Sequence, residues 1–284
     1  MKIAHVVNLF TSPEGSDSRR IQEITLDTLR RAAEAAADSA QVELLSAQLE
    51  ADRKIVPDFM TPTRDLDRTI QDRVVCSDKR RLPFIHDILQ RACEATDADY
   101  IVYTNLDIAV YPSFYGFLAE ACSEGIDALA VNRAQIPRAH DGVDVLHALS
   151  VDEILKLKNR SPHHGVDCVM FRRDKFPSWR NPEICVGYPP VGEYLQECVE
   201  YHAEHFVWFK DAIQTFHIGV DSDDTSPWKN LQGNEIWKRN IAQFEAARLY
   251  PRNPWSRHGF NRVNWLLRRT RWALVDKISA RQSR

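Results

Sequence analysis

Asp99-Tyr100-Ile101-Val102-Tyr103-Thr104-Asn105-Leu106-Asp107-Ile108 is the most informative stretch of the chain. Tyr100 to Tyr103 form a near-continuous apolar run, the pattern of a short strand covered on both faces. Asn105 and Asp107 leave its end two residues apart, a spacing at which two side-chain oxygens can point the same way. Such a pair suits a hard cation, Mg2+ or Mn2+, which takes oxygen ligands and shares them with a diphosphate. The same residue types also build an Asx-type turn that merely ends a strand. Spacing alone leaves both readings open.

Outward from this strand, strands and helices alternate. Lys2–Asn8 is a short apolar run that ends in the polar loop Thr11-Ser12-Pro13-Glu14-Gly15-Ser16-Asp17, and a helix with Ile21, Ile24, Leu26 and Leu29 near a 3.6 period follows. Gln41–Ser46 suits a second strand, and the charged, proline-interrupted residues up to about Asp78 read as a mobile loop. Lys79–Ala95 has helical period through Leu82, Ile85, Ile88, Leu89 and Ala92. A helix start near Pro112 and a strand over Ile126–Val131 complete a β-α-β-α-β order. That order argues for an α/β fold with a mainly parallel central sheet flanked by helices, whose ligands sit beyond the carboxyl ends of the strands. The loops after Val7 and Tyr103 are therefore the places to look. In the second half, Val166–Phe171 and Ile213–Ile218 read as strands, and Val191–Glu204 and Gly233–Leu249 as helices.

Composition removes several classes. The 37 Lys and Arg against 40 Asp and Glu leave the chain near neutral, which argues against a globally basic nucleic-acid binder. No apolar run approaches the ~18 residues of a membrane span. The first residues, broken by His5 and Asn8, lack a secretory apolar segment, so a cytoplasmic protein is expected. Six scattered cysteines without a C-x-x-C pair read as reduced and mostly buried. Neither a Walker loop nor a G-x-G-x-x-G occurs, against an ATPase or dehydrogenase.

From about Lys2 to Asn230 the arrangement resembles the GT-A glycosyltransferases. The likeness rests on the element order, on Asn105-Leu106-Asp107 as a D-x-D-like motif, and on Lys79-Arg80-Arg81 before a helix. It implies a single nucleotide-sugar transferase domain over 1–230 and a basic helical extension over 231–284. It also implies a nucleotide-sugar donor and a Mg2+ or Mn2+ ion on the diphosphate. Asp107 matches the second acid of the motif; Asn105 replaces the first. His217, at the end of a short strand, fits the third ligand, and Lys79, Arg80 and Arg81 would add positive charge at the diphosphate. Val7, Asn8 and Thr11 would touch the nucleoside. Asp167, in the acceptor-side strand His163-His164-Gly165-Val166-Asp167, and Glu193, entering a helix after Gly187-Tyr188-Pro189-Pro190, are the candidate general bases.

Other readings stand beside this one. An acid in a helix's first turn is favoured by the macrodipole alone, and a His among apolar neighbours is commonly a core residue. His163, His164, Asp167, His202 and His205 would make a metal-dependent hydrolase if they converged, and a fold that had lost its chemistry would bind nucleotide-sugar without turnover. Trp255 to Arg284 set eight basic residues and several Leu, Val and Trp against the single acid Asp276. A basic amphipathic helix there would contact an anionic membrane at its inner face, as suits a saccharide or lipid-linked saccharide acceptor; docking on the acidic body is the alternative.

Overall fold

The computed structural model describes residues 1–76, 78–158, 160–219 and 233–249. Eleven strands are formed among these residues: β1 (Lys2–Leu9), β2 (Gln41–Gln48), β3 (Thr61–Pro62), β4 (Tyr100–Thr104), β5 (Ala109–Val110), β6 (Ala128–Ile136), β7 (Ala139–His140), β8 (Val143–Asp144), β9 (Ser161–Arg172), β10 (Phe206–Phe209) and β11 (Thr215–Ile218). The α-helices are α1 (Asp17–Ala35), α2 (Ile85–Ala95), α3 (Phe114–Ser123), α4 (Val145–Ala148), α5 (Val151–Lys156), α6 (Val191–His202) and α7 (Glu235–Ala247). Nine strands make one sheet in the order β3-β2-β1-β4-β9-β6-β11-β5, with β10 beside β6, while β7 and β8 form a separate hairpin.

The sheet is mainly parallel, as the alternation of elements predicts, with two exceptions. β9 runs antiparallel between β4 and β6, and β5 runs antiparallel to β11. Period-2 alternation decides which side chains face which layer. On β1 and β4, Ala4, Val6, Ile101 and Tyr103 face α2 and α6, together with Ile88, Leu89, Leu195 and Val199. Ile3, Val7 and Val102 face α1 and α3, together with Leu29, Phe114 and Leu118. β4 is thus covered on both faces, which is why its sequence shows no alternation.

Two expectations are corrected. The helix over Lys79–Ala95 starts only at Ile85; Lys79 to Arg81 lie in the loop before it, with Phe84 as its N-cap. The residues between about 47 and 78 are not a plain loop. They hold β3 and two 3-10 turns, Glu50–Ile55 and Ile70–Asp72. They bury Met60, Leu66 and Ile70, and ion pairs tie them down: Arg53 to Asp65 at 2.9 Å, Arg68 to Asp87 at 2.6 and 2.7 Å, and Arg73 to Glu183 at 2.8 Å. The charges that read as mobility on the page are paired across elements. The helix expected over Gly233–Leu249 is formed as α7 (Glu235–Ala247), and it packs on the body. Ile236 joins Ile70, Phe84, Cys185 and Tyr188, and the fully buried Asn240 bonds the Cys185 N–H and carbonyl at 3.0 Å each. The basic segment from Trp255 onward lies outside the described residues.

His5 marks the middle of the sheet. Its Nδ1 lies 2.8 Å from the Tyr115 hydroxyl and its Nε2 2.9 Å from Thr104 Oγ1, with the ring 1% exposed. Burial lowers its pKa to about 3 from 6.5. The unfolded chain therefore binds the proton that the folded chain refuses, and the stability His5 contributes is full above about pH 6.5 and is lost as pH falls toward 3. His86 and His217 are lowered to about 4 for the same reason and act in the same direction. Urea unfolding at pH 7 and pH 5 should show the parent chain losing about 2 kcal/mol more than a His5→Gln variant, which keeps one donor and one acceptor. Equal losses in the two proteins would remove His5 from the account.

Candidate active site

The site is assembled at the carboxyl end of β4. After Thr104 the chain turns: the Ile108 N–H donates to the Asn105 carbonyl at 3.1 Å, and the Asn105 N–H to the Asp167 carbonyl at 3.3 Å. The turn sends Leu106 into the core at 7% exposure and leaves the Asp107 side chain 50% exposed. β5 then pairs with β11 (Ala109 opposite Phe216), and β11 pairs with β6 (His217 opposite Gln135). Those two ladders carry His217 to the turn, where its Nε2 stands 3.6 Å from Asp107 Oδ2. Gln135 Nε2 lies 3.4 Å from His217 Nδ1.

Asp167 arrives by a different device. The β6–β9 ladder pairs Val131 with Cys168 but Asn132 with Val166, so Asp167 is the extra residue of a β-bulge. A bulge re-aims the side chain it carries. Here the carboxylate meets Asn105, whose Nδ2 donates to Oδ1 at 2.9 Å, and Arg133, whose guanidinium pairs with Oδ2. The Tyr103 hydroxyl donates to Asn105 Oδ1 at 2.9 Å. Gly165 makes room for the bend, because a Cβ there would come within 2.9 Å of Asp167 Oδ2 and 3.0 Å of His163 Nδ1.

Burial and charge act against each other in this group. Desolvation raises the Asp107 and Asp167 pKa values; Arg133 pulls both back down, and Asp107 adds a further rise at Asp167. Burial, helped by Arg133, lowers His217 to about 4, so its ring is neutral at pH 7 and keeps a lone pair. The Tyr103 phenol is raised by burial and by the two carboxylates, and stays a donor.

As a cation site the residues fit in part. Among the described residues no three His, Cys, Asp or Glu side chains gather at one point. Asp107 and His217 do approach each other. One or two protein ligands completed by substrate phosphates is a common way of holding Mg2+. Asn105 has its amide oxygen and nitrogen bonded to Tyr103 and Asp167.

The remaining candidates are spread along the same edge. Gly192, in the first turn of α6, sits where a Cβ would come 2.6 Å from the Val166 carbonyl, so the helix start lies against β9 beside Asp167. Glu193 follows it and is exposed; among the described residues no hydrogen bond or ion pair joins it to Asp167. Arg80 pairs with Asp78 at 2.7 Å and lies over the Tyr188 ring at 5.6 Å, while Lys79 donates to the Cys76 carbonyl at 3.3 Å and Arg81 is exposed. Arg80 is thus engaged in packing the approach to α6. On β1, Val7 is wholly buried, so its side chain cannot touch a nucleoside. Asn8 donates to the Ala47 carbonyl at 2.8 Å, and the Thr11 N–H and hydroxyl donate to Asp52 at 2.9 and 2.7 Å. Beside them opens a cavity of about 150 Å³ lined by Leu9, Arg19, Gln22, Glu23, Leu26, Ile55 and Pro57.

Among the described residues the histidines do not gather into a hydrolase centre. His202 and His205 lie at or past the far end of α6, about 18 Å along the helix from its start beside Asp167. There His202 faces Trp179 and bonds Ser178 at 3.1 Å. Arg133 was missed by the sequence reading. Its signal was the polar run Asn132-Arg133-Ala134-Gln135 directly after the apolar Ala128–Val131, since a charge inside a buried strand requires a partner.

No family model matches the chain, and no curated protein matches it. Solved structures do. TarS 1–349 from S. aureus in complex with UDP-GlcNAc is 10% identical with a TM-score of 0.45; the match covers 78% of this chain and 60% of that one. The glucosyl-3-phosphoglycerate synthase from Mycobacterium tuberculosis in complex with Mn2+, UDP and phosphoglyceric acid is 16% identical with a TM-score of 0.47, covering 89% and 80%. The 4-diphosphocytidyl-2C-methyl-D-erythritol synthase from Anaerococcus prevotii is 12% identical with a TM-score of 0.40, covering 84% and 97%. The chain spans about 60% of the TarS fragment.

Proposed function

We propose that this protein transfers a glycosyl group from a nucleotide-sugar donor to a hydroxyl of a saccharide or lipid-linked saccharide. The observation that carries the reading is the approach of a half-exposed carboxylate and a neutral imidazole, Asp107 and His217 at 3.6 Å, at the carboxyl end of a strand covered on both faces. Those two side chains would hold Mg2+ or Mn2+ together with the donor diphosphate, and the ion supplies neutralisation of charge on the leaving group. Arg133, beside both carboxylates, keeps the pair of acids compatible with one another. The cavity lined by Leu9 would take the nucleoside, and Lys79 and Arg81, exposed in the loop before α2, would add positive charge.

Of the two candidate bases, Glu193 is the freer. It is exposed in the first turn of α6. Asp167 already accepts from Asn105 and Arg133 and orients the site. The segment 255–284 would bring the enzyme to an anionic membrane bearing the acceptor.

A panel of nucleotide-sugars, each with and without Mn2+, tests this. One donor should raise the melting temperature by several degrees in the presence of Mn2+, as mass action requires of a ligand that binds the folded chain alone, and should be slowly hydrolysed. Binding without hydrolysis or transfer to any acceptor would favour a non-catalytic binding protein. No shift with any donor would overturn the proposal.

A further inference from the structure

Asn105 stands where a cation ligand was expected, yet its amide is used up in another way. An ionised Asp167 offers only acceptors, so the group 2.9 Å from its Oδ1 is the Asn105 NH2. The amide oxygen is then turned to Tyr103, whose hydroxyl donates at 2.9 Å. The second Asp167 oxygen is held by Arg133, 9% exposed against 14% for Asp167. Tyr103, Asn105, Asp167 and Arg133 therefore form one chain of donors and acceptors with a fixed direction, nearly shut off from water. The backbone adds a further tie from the Asn105 N–H to the Asp167 carbonyl at 3.3 Å.

We propose that Asn105 is a positioning residue, whose amide clamps Asp167 onto Arg133 and so leaves Asp107, rather than Asp167, as the carboxylate that would face the cation. The inference rests on the transferase reading only in placing that cation at Asp107; the clamp itself is a property of this chain. Its consequence runs against the pattern of the motif. An aspartate in place of Asn105 would have the shape of asparagine but no donor, and would set two carboxylate oxygens at the distance now spanned by a hydrogen bond. A group that can only accept cannot hold another. The introduced carboxylate would then swing away or take up a proton, and either response releases Asp167.

The full-length chain and four variants test this through melting temperature and Mn2+ binding, the latter followed by electron paramagnetic resonance of free Mn2+ without nucleotide. Asn105→Asp should lower the melting temperature by about 5 °C or more. Asp167→Asn should lower it as well, by removing the carboxylate that Arg133 holds. The pair Asn105→Asp with Asp167→Asn reverses the donor and the acceptor and lets Arg133 donate to the new amide oxygen. It should recover most of what the singles lose. Mn2+ affinity should follow the same order: Asn105→Ala should weaken it by about tenfold, as loss of an outer-shell partner does, and the reversed pair should bring it back to near the parent. An Asn105→Asp chain as stable as the parent, a double variant no better than the sum of its singles, or a double variant that melts like the parent but binds Mn2+ no better than Asn105→Ala overturns the clamp. Failure of the parent to bind Mn2+ would count against the cation at Asp107, and the melting temperatures would still decide the clamp.

Discussion

Replacing Asp107 by alanine should abolish glycosyl transfer, by about a thousandfold or more, while leaving the fold intact. The two halves of this expectation come from the same geometry. The side chain is 50% exposed and lies at a turn, so the folded protein gains little from it. Its removal opens no cavity, because Leu106 and Ile108 on either side carry the packing. For turnover, the carboxylate is the charged partner of His217 at the place where a diphosphate and its cation would meet. Loss of one well-placed electrostatic partner costs about 10²–10³ in rate, and loss of a metal with it costs more. Release of nucleoside diphosphate by the best donor measures the rate, and the melting temperature measures the fold. Full activity in Asp107→Ala would end the transferase reading of this edge; a collapse in melting temperature would show the residue to be structural.

The second large effect concerns stability. Arg133→Ala should cost about 3–5 kcal/mol, the range for breaking a buried ion pair from one side. Asp167 is 14% exposed, and its pKa is raised by burial with Arg133 opposing. Without the guanidinium it faces Asp107 in a desolvated place, and must either take a proton or pull the bulge apart. The melting temperature should fall by roughly 10 °C on this scale. Adding Asp167→Asn to Arg133→Ala should restore part of the loss, because the charge that needed the arginine is then gone. If Arg133→Ala melts within about 2 °C of the parent, the pair is a surface-like contact and the network around Asn105 has no anchor.

Much of the frame was legible in the chain. Tyr100–Tyr103 reads as a strand buried on both faces, and β4 is one, packed by α2 and α6 on one side and α1 and α3 on the other. His217 was singled out at a strand end, and the ladders bring it to Asp107. Other features were not legible, for a common reason. The antiparallel insertion of β9, the bulge at Asp167 and the ion pairs that order residues 47–78 depend on partners far away in sequence. Arg53, Arg68 and Arg73 look like a solvated charge run until Asp65, Asp87 and Glu183 are placed beside them.

Sequence by itself determined that an apolar strand ends in a polar turn bearing an amide and a carboxylate, because burial on two faces and turn chemistry are local properties written in residue types. Only the tertiary structure decided what those two side chains do. The Asn105 amide met Asp167, 62 positions away, and the Asp107 carboxylate met His217. A hydrogen-bonding group takes its role from the partner that strand register sets against it, and a one-residue bulge in β9 settled that register.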